Sequence, residues 1–201
     1  MTKTEEIKHF VRQKISGIEM MAEQSDGKAT LAQLRRGIGT TPGSQPELLG
    51  IILMDMPADF LSRDGDPTKE EWACYIALTL YACHQQGLDP LSNAMNTKEY
   101  ISVGKAMADY VAHIGSDDEN VSLRIGKRLQ RITTSKDMKE LSHHLRTAIE
   151  LFRSEEIAIN YPLLANDLYS FQFTDGRKRV VLRWAQDYYS NLRSGGKKDN
   201  E

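Results

Sequence analysis

Apolar residues recur along this chain at intervals of three and four, starting near its first residues. Ile7, Phe10, Val11, Ile15, Ile18 and Met21 stand at helical spacing over roughly 4–24, which predicts an amphipathic helix ended by Asp26-Gly27. A short second helix, ATLAQLRR, stops near Gly37, where GIGTTPGSQP has the composition of a surface loop. ELLGIILMDMP at 47–57 is an apolar run closed by Pro57, and the acidic connector SRDGDPTKEE follows. Thr68 and Glu71 have capping-box spacing ahead of WACYIALTLYACHQQG. That run is apolar nearly all round, the pattern of a helix enclosed by others, and Gly87 stops it.

Beyond the polar stretch LDPLSNAMNTKEY the helical pattern resumes with ISVGKAMADYVAHIG. Ser116 and Glu119 again have capping-box spacing and open DDENVSLRIGKRLQRI. Ser135 is placed to cap KDMKELSHHLRTAIELFRS, and YPLLANDLYSFQF and GRKRVVLRWAQDYYSNLR complete the series. The expected fold class is all-α: an irregular bundle of eight or nine helices with mostly short connections. One domain is expected over 1–194, with candidate lobes 1–92 and 98–194, and a frayed tail over 195–201.

Composition adds bounds. The 201 residues are 40% hydrophobic and 27% charged, an ordinary globular balance that argues against disorder. No run approaches the ~18 apolar residues of a membrane span, and MTKTEEIKHFVRQK lacks the apolar region of a secretory signal. Cys74 and Cys83 share one predicted helix, about 13 Å apart along its axis and on opposite faces, too far to bridge. The chain reads as cytoplasmic and reduced, with its thiols as small core residues.

Net charge is −2, which as a total argues against a nucleic-acid partner. Its distribution reverses that argument. Residues 47–71 carry seven acidic side chains against Arg63 and Lys69, a net of −5. Residues 120–149 carry seven basic side chains against Asp137 and Glu140, a net of +5, and 176–198 carry seven against Asp187, a net of +6. Arg124, Lys127, Arg128 and Arg131 stand at i, i+3, i+4 and i+7 and so share one helix face. Val121, Ile125, Leu129 and Ile132 form the neighbouring apolar stripe. Like charges at this spacing cost helix stability, a cost that an anionic partner offsets, and phosphate backbone is the obvious one. A basic helix face is most often plain solvated surface. Here the same polarity recurs at Arg35-Arg36, Lys136, Arg146, Arg177, Lys178, Arg179 and Arg183.

Catalytic signatures do not emerge. GIGTTPG lacks the Lys-Ser/Thr ending and preceding strand of a phosphate-cradling loop, and neither HExxH nor paired CxxC occurs. Adjacent His143 and His144 point about 100° apart on a helix, so they cannot chelate one metal from one face. Asp117, Asp118 and Glu119 are explained by a helix start behind Ser116, where the dipole favours acids. The chain therefore reads as a non-enzyme without a cofactor.

Three stretches together resemble the CasB family, the small subunit of the type I-E CRISPR surveillance complex Cascade. TLAQLRRG at 30–37 looks like that family's helix with a double arginine. The run from ISVGKAMA through LRIGKRLQRI and LSHHLRTAIELF to YPLLANDLYSF is similar to its central pattern, and VVLRWAQDYY to its ending. The resemblance covers about 101–189 plus 30–37 and rests on order and spacing, since no single motif is specific. It implies an all-helical, non-catalytic subunit of antiviral defence, present as a pair, touching the large subunit and the guide-bearing backbone subunits. It also implies a basic surface that holds R-loop DNA and the crRNA–target region without reading sequence.

Carried over residue by residue, that surface comprises Arg35, Arg36, Arg124, Lys127, Arg128 and Arg131, with Lys105 and Arg146 as weaker members. Arg146 has a rival use, an i+4 pair with Glu150, and Trp184, Tyr188 and Leu192 suit a core stripe better than a base-stacking platform. The acidic 38–71 region matches less well and is expected to face solvent or another subunit. Two other classes compete: a purely structural adaptor, and a helical DNA-binding regulator, which would need a tight helix-turn-helix.

Overall fold

The computed structural model describes residues 1–21, 25–115 and 119–195. Among the described residues nine helices follow in order: α1 (Lys3–Met20), α2 (Ser25–Arg36), α3 (Pro46–Leu53), α4 (Lys69–His84), α5 (Val103–Ile114), α6 (Glu119–Thr133), α7 (Met138–Ser154), α8 (Tyr161–Phe171) and α9 (Thr174–Gly195). Among these residues one isolated bridge, Asn96 to Ile159, is the only strand-like pairing. The fold is an all-α bundle, as expected.

Its axis is α4. Both halves of the expected capping box form: Thr68 Oγ1 accepts from Glu71 N at 3.0 Å, and Glu71 Oε2 accepts from Thr68 N at 2.7 Å. Every residue from Ala73 to His84 is buried, with α1, α2, α7 and α8 packed around them. Cys74 and Cys83 are both buried and free. One contiguous apolar cluster draws on residues before and after the 90–97 connector, from Ile7 to Tyr188.

Three local expectations are corrected. Asp26-Gly27 does not end α1 but lies in the first turn of α2, where Asp26 suits the dipole and its carbonyl accepts from Thr30 Oγ1 at 2.8 Å. Ser135 does not cap α7. Its hydroxyl turns back to donate to Arg131 O at 3.1 Å, and the Asp137 carboxylate, a stronger acceptor, takes Glu140 N at 2.9 Å. The apolar run at 47–57 is helical only to Leu53, because Met54 is extended (ψ 131°) and Asp55 has φ 63°. The expected cap at Ser116, with Asp117 and Asp118, lies outside the described residues, as does 196–201 of the expected tail.

The second half is organised by a joint between α5 and α9. A Cβ on Gly104 would sit 1.9 Å from Trp184 O, so the two backbones approach as only glycine permits. Ser102, the N-cap of α5, donates to Asp187 Oδ2 at 2.5 Å, and Tyr100 donates to the same atom at 3.1 Å. From α8, buried Asp167 accepts from Trp184 Nε1 at 2.8 Å and pairs with Arg183. Thus Gly104 and Asp167 of the long central stretch and Trp184 of the last one meet in one place.

His84 closes α4 in the interior. Its Nδ1 lies 3.0 Å from Tyr161 Oη, whose own hydrogen points to Leu80 O at 3.3 Å. Burial, reinforced by the Arg153 charge, holds the imidazole pKa down to about 3. The unfolded chain takes this proton near pH 6.5, the folded one only near 3, so the folded state loses stability as pH falls between them. We expect a loss of about 2.5 kcal/mol between pH 7 and pH 4.5, read from urea midpoints. His84→Gln, which cannot titrate, should flatten that slope; equal slopes would contradict the assignment.

Candidate nucleic-acid interface

Helix α6 docks through one stripe and presents another. Val121, Ile125, Leu129 and Ile132 are buried against α5 and α7. Arg124, Lys127 and Arg131 are exposed and Arg128 is half-buried, all on the adjoining face. The helix is held from α9 as well, where the Tyr188 hydroxyl donates to Ser122 O at 2.7 Å.

Each cation of the row looks in a slightly different direction. Arg124 and Arg128 flank a recess with Tyr110, Ile114 and Leu151, and their charges partly offset the burial and the Glu155 charge that raise the Tyr110 pKa. Lys127 stands at the other edge of the row, along a groove against α9. Arg131 ends the row, with its carbonyl accepting from Ser135. Among the described residues, none of the four pairs with a carboxylate.

Several other cations are committed. Lys105 pairs with Asp109 at 3.1 Å and Arg146 with Glu150 at 2.9 Å, the rival use anticipated for Arg146. Arg183 is tied to Asp167, and Lys178 lies 3.4 Å from Asp175. Arg177 stacks over the Phe171 ring at 4.3 Å and donates to Phe171 O at 3.4 Å, fixing the start of α9. Of the charge at 176–198, Arg177, Lys178 and Arg183 are thus engaged within α8 and α9, whereas no α6 cation has a carboxylate partner among the described residues.

Arg35 and Arg36 end α2, Arg35 half-buried and Arg36 exposed. Arg35 converges with Arg146 and Arg153 rather than with the α6 row: all three charges act on the Cys83 thiol, whose pKa burial drives up and they pull back. Arg153 donates to Cys83 O at 3.3 Å and Gln86 Oε1 at 3.1 Å, capping the carbonyl end of α4. Sequence reasoning missed Arg153, although it lies seven residues beyond Arg146 on the same helix face.

Five of the seven acids at 47–71 are exposed, and several have partners within the chain. Asp59 pairs with Lys3 and Asp55 lies 3.6 Å from Lys14, both on α1. Glu71 accepts from two backbone amides, and Asp64 accepts from Ser62 Oγ and Asp66 N. His144 leans on Glu140 at 3.7 Å and on the His143 ring. Among the described residues no three His, Cys, Asp or Glu gather as metal ligands, and no helix is long and apolar enough to cross a membrane.

Comparison with known proteins adds the following. The family model for the CRISPR-associated protein Cse2 matches residues 30–189. The crystal structure of CasB from Thermobifida fusca superposes with a TM-score of 0.73 at 28% identity, covering 92% of this chain and 98% of that one. CasB from Thermus thermophilus gives 0.62 at 19% identity over 94% and 99%. A chain of a CRISPR RNA-guided surveillance complex gives 0.70 at 19% identity over 96% and 98%. At such identities the last two show the fold alone. No curated protein sequence matches.

Proposed function

The chain belongs to the CRISPR-associated Cse2 family, and from that premise we propose that it is a non-catalytic small subunit of a type I-E Cascade complex. In this reading it holds nucleic-acid backbone on the basic face of α6 and bridges other subunits, beside a second copy of itself. Arg124, Lys127, Arg128 and Arg131 form the centre of the contact. Arg35 and Arg36 form a separate, second basic area at the end of α2, and Lys105 and Arg146 contribute less, since each already has a carboxylate partner.

The observation that carries the reading is the row of four like charges on one face of α6. Lys3, Lys8, Lys14, Lys105, Arg146, Lys178 and Arg183 pair with carboxylates, while the four on α6 sit at spacings that repel one another and have no such partner among the described residues. Phosphates spaced along a strand supply what the protein withholds, and counterion release makes each contact favourable without base readout.

The test is an assembled complex in which Arg124, Lys127, Arg128 and Arg131 are all replaced by Gln. Target DNA should dissociate faster, and the slope of log affinity against log salt should shrink by about 3, at 0.7–0.9 per lost phosphate contact. The melting profile should not fall, because the variant removes repulsion from α6. Unchanged retention and slope would overturn the proposal in favour of a purely structural adaptor.

A further inference from the structure

We propose that the groove between α6 and α9 is a single-strand subsite in which an unpaired base stacks on Tyr189. The proposal rests on the reading above and narrows it: the partner at this place is a single strand rather than a duplex. The groove encloses about 930 Å³, with Leu123, Gly126 and Lys127 of α6 facing Val181, Tyr188 and Tyr189 of α9.

Two adjacent tyrosines divide the work. Tyr188 is 1% exposed and spends its hydroxyl on Ser122 O, so it belongs to the core. Tyr189 is 55% exposed, yet its ring is held. It meets Tyr188 edge-to-face, with centroids 5.0 Å apart and planes at 68°. Its hydroxyl reaches over α6 to Gly126, 4.0 Å from where a Cβ would be. No side chain on Gly126 obstructs that approach, and the next residue is Lys127. An aromatic ring, held on one edge and open elsewhere, thus stands beside Lys127 of the α6 row.

This pairing is what a sequence-indifferent single-strand site requires. The phosphates track the cations, and each base offers a π-face to the ring whatever its identity. A duplex keeps its bases stacked and can use only the cations. Leu123, 58% exposed, gives the α6 rim an apolar character that a bare phosphate track would not need.

The experiment compares oligothymidylate with duplex DNA of equal length, binding the full chain at low salt, for wild type, Tyr189→Ala, Tyr189→Phe and the four-fold Gln variant. Tyr189→Ala should weaken single-strand binding roughly 5- to 100-fold, leave duplex binding within about twofold, and abolish quenching of a 2-aminopurine placed in the strand. Tyr189→Phe should behave as wild type. Equal single-strand affinity for wild type and Tyr189→Ala would overturn the subsite, as would no single-strand binding by wild type. If the Gln variant loses both ligands while Tyr189→Ala loses neither, the stacking inference fails and the basic face stands. If the Gln variant loses neither, both fail.

Discussion

Gly104→Ala is expected to destabilise the protein by at least about 3 kcal/mol, out of proportion to the single methyl added. The new Cβ would lie 1.9 Å from Trp184 O, 2.7 Å from its carbonyl carbon and 2.9 Å from its Cα. All three are backbone atoms, so no rotamer change relieves the overlap and α5 and α9 must separate. Separation strains the Ser102–Asp187 hydrogen bond and the packing of Val103 and Met107. Gly126→Ala is the control. Its Cβ would meet Tyr188 and Tyr189 side-chain atoms at 3.8–4.0 Å, ordinary contact, so alanine should be neutral or stabilise by about 0.5–1 kcal/mol. Chemical denaturation of both variants reads the difference, and a Gly104→Ala midpoint equal to wild type would refute the close crossing. The loss should also reach DNA retention, because α5 supports α6.

The same joint explains what the recurring stretches encode. Periodicity made α4 legible, since a run apolar on every side has no place but the interior, and the Thr68–Glu71 box set its start. Gly104 and Asp167 look unexceptional in the sequence. Their requirement comes from a partner 80 or 17 residues away, and helical periodicity reports only what happens within a few turns. Boundaries failed where a competing hydrogen bond decided them: Ser135 had a better use closing α6, so Asp137 took the cap.

The candidate site divides in the same way. One face of α6 was readable because its four cations lie within eight residues. Arg183 has the same charge in the sequence, yet Asp167 consumes it, and only the fold distinguishes the two. Tyr189 was hidden for a related reason: Val180, Trp184 and Tyr188 follow the buried i, i+4, i+8 line, and its neighbour one step round the helix falls on the groove edge. Charge counted by segment located the basic regions. Which of those charges remain available is a property of tertiary pairing.

Asp167→Ala should cost about 3–5 kcal/mol, the range for breaking a buried ion pair from one side. Asp167 is 1% exposed, and burial raises its carboxyl pKa despite the opposing Arg183 charge and the Trp184 hydrogen bond. The pair is thus a costly way to fill the space, but removing half of it is costlier. Without the carboxylate, Arg183 loses its one carboxylate partner while its Nε is already buried without a hydrogen bond. Trp184 Nε1, on a residue 0% exposed, loses its acceptor too. Asp167→Asn keeps an acceptor of the same shape and should cost less. Arg183→Met combined with Asp167→Leu should recover stability relative to Asp167→Ala, since two apolar side chains leave no charge stranded and only the indole N–H unpaired. Urea midpoints for the three variants test this ordering; a wild-type midpoint for Asp167→Ala would show that Arg183 and Trp184 do not depend on the carboxylate. The consequence for function follows from position: Trp184 lies on the α9 turn before Tyr188, so a loosened Trp184 releases the hydroxyl that holds α6 at Ser122.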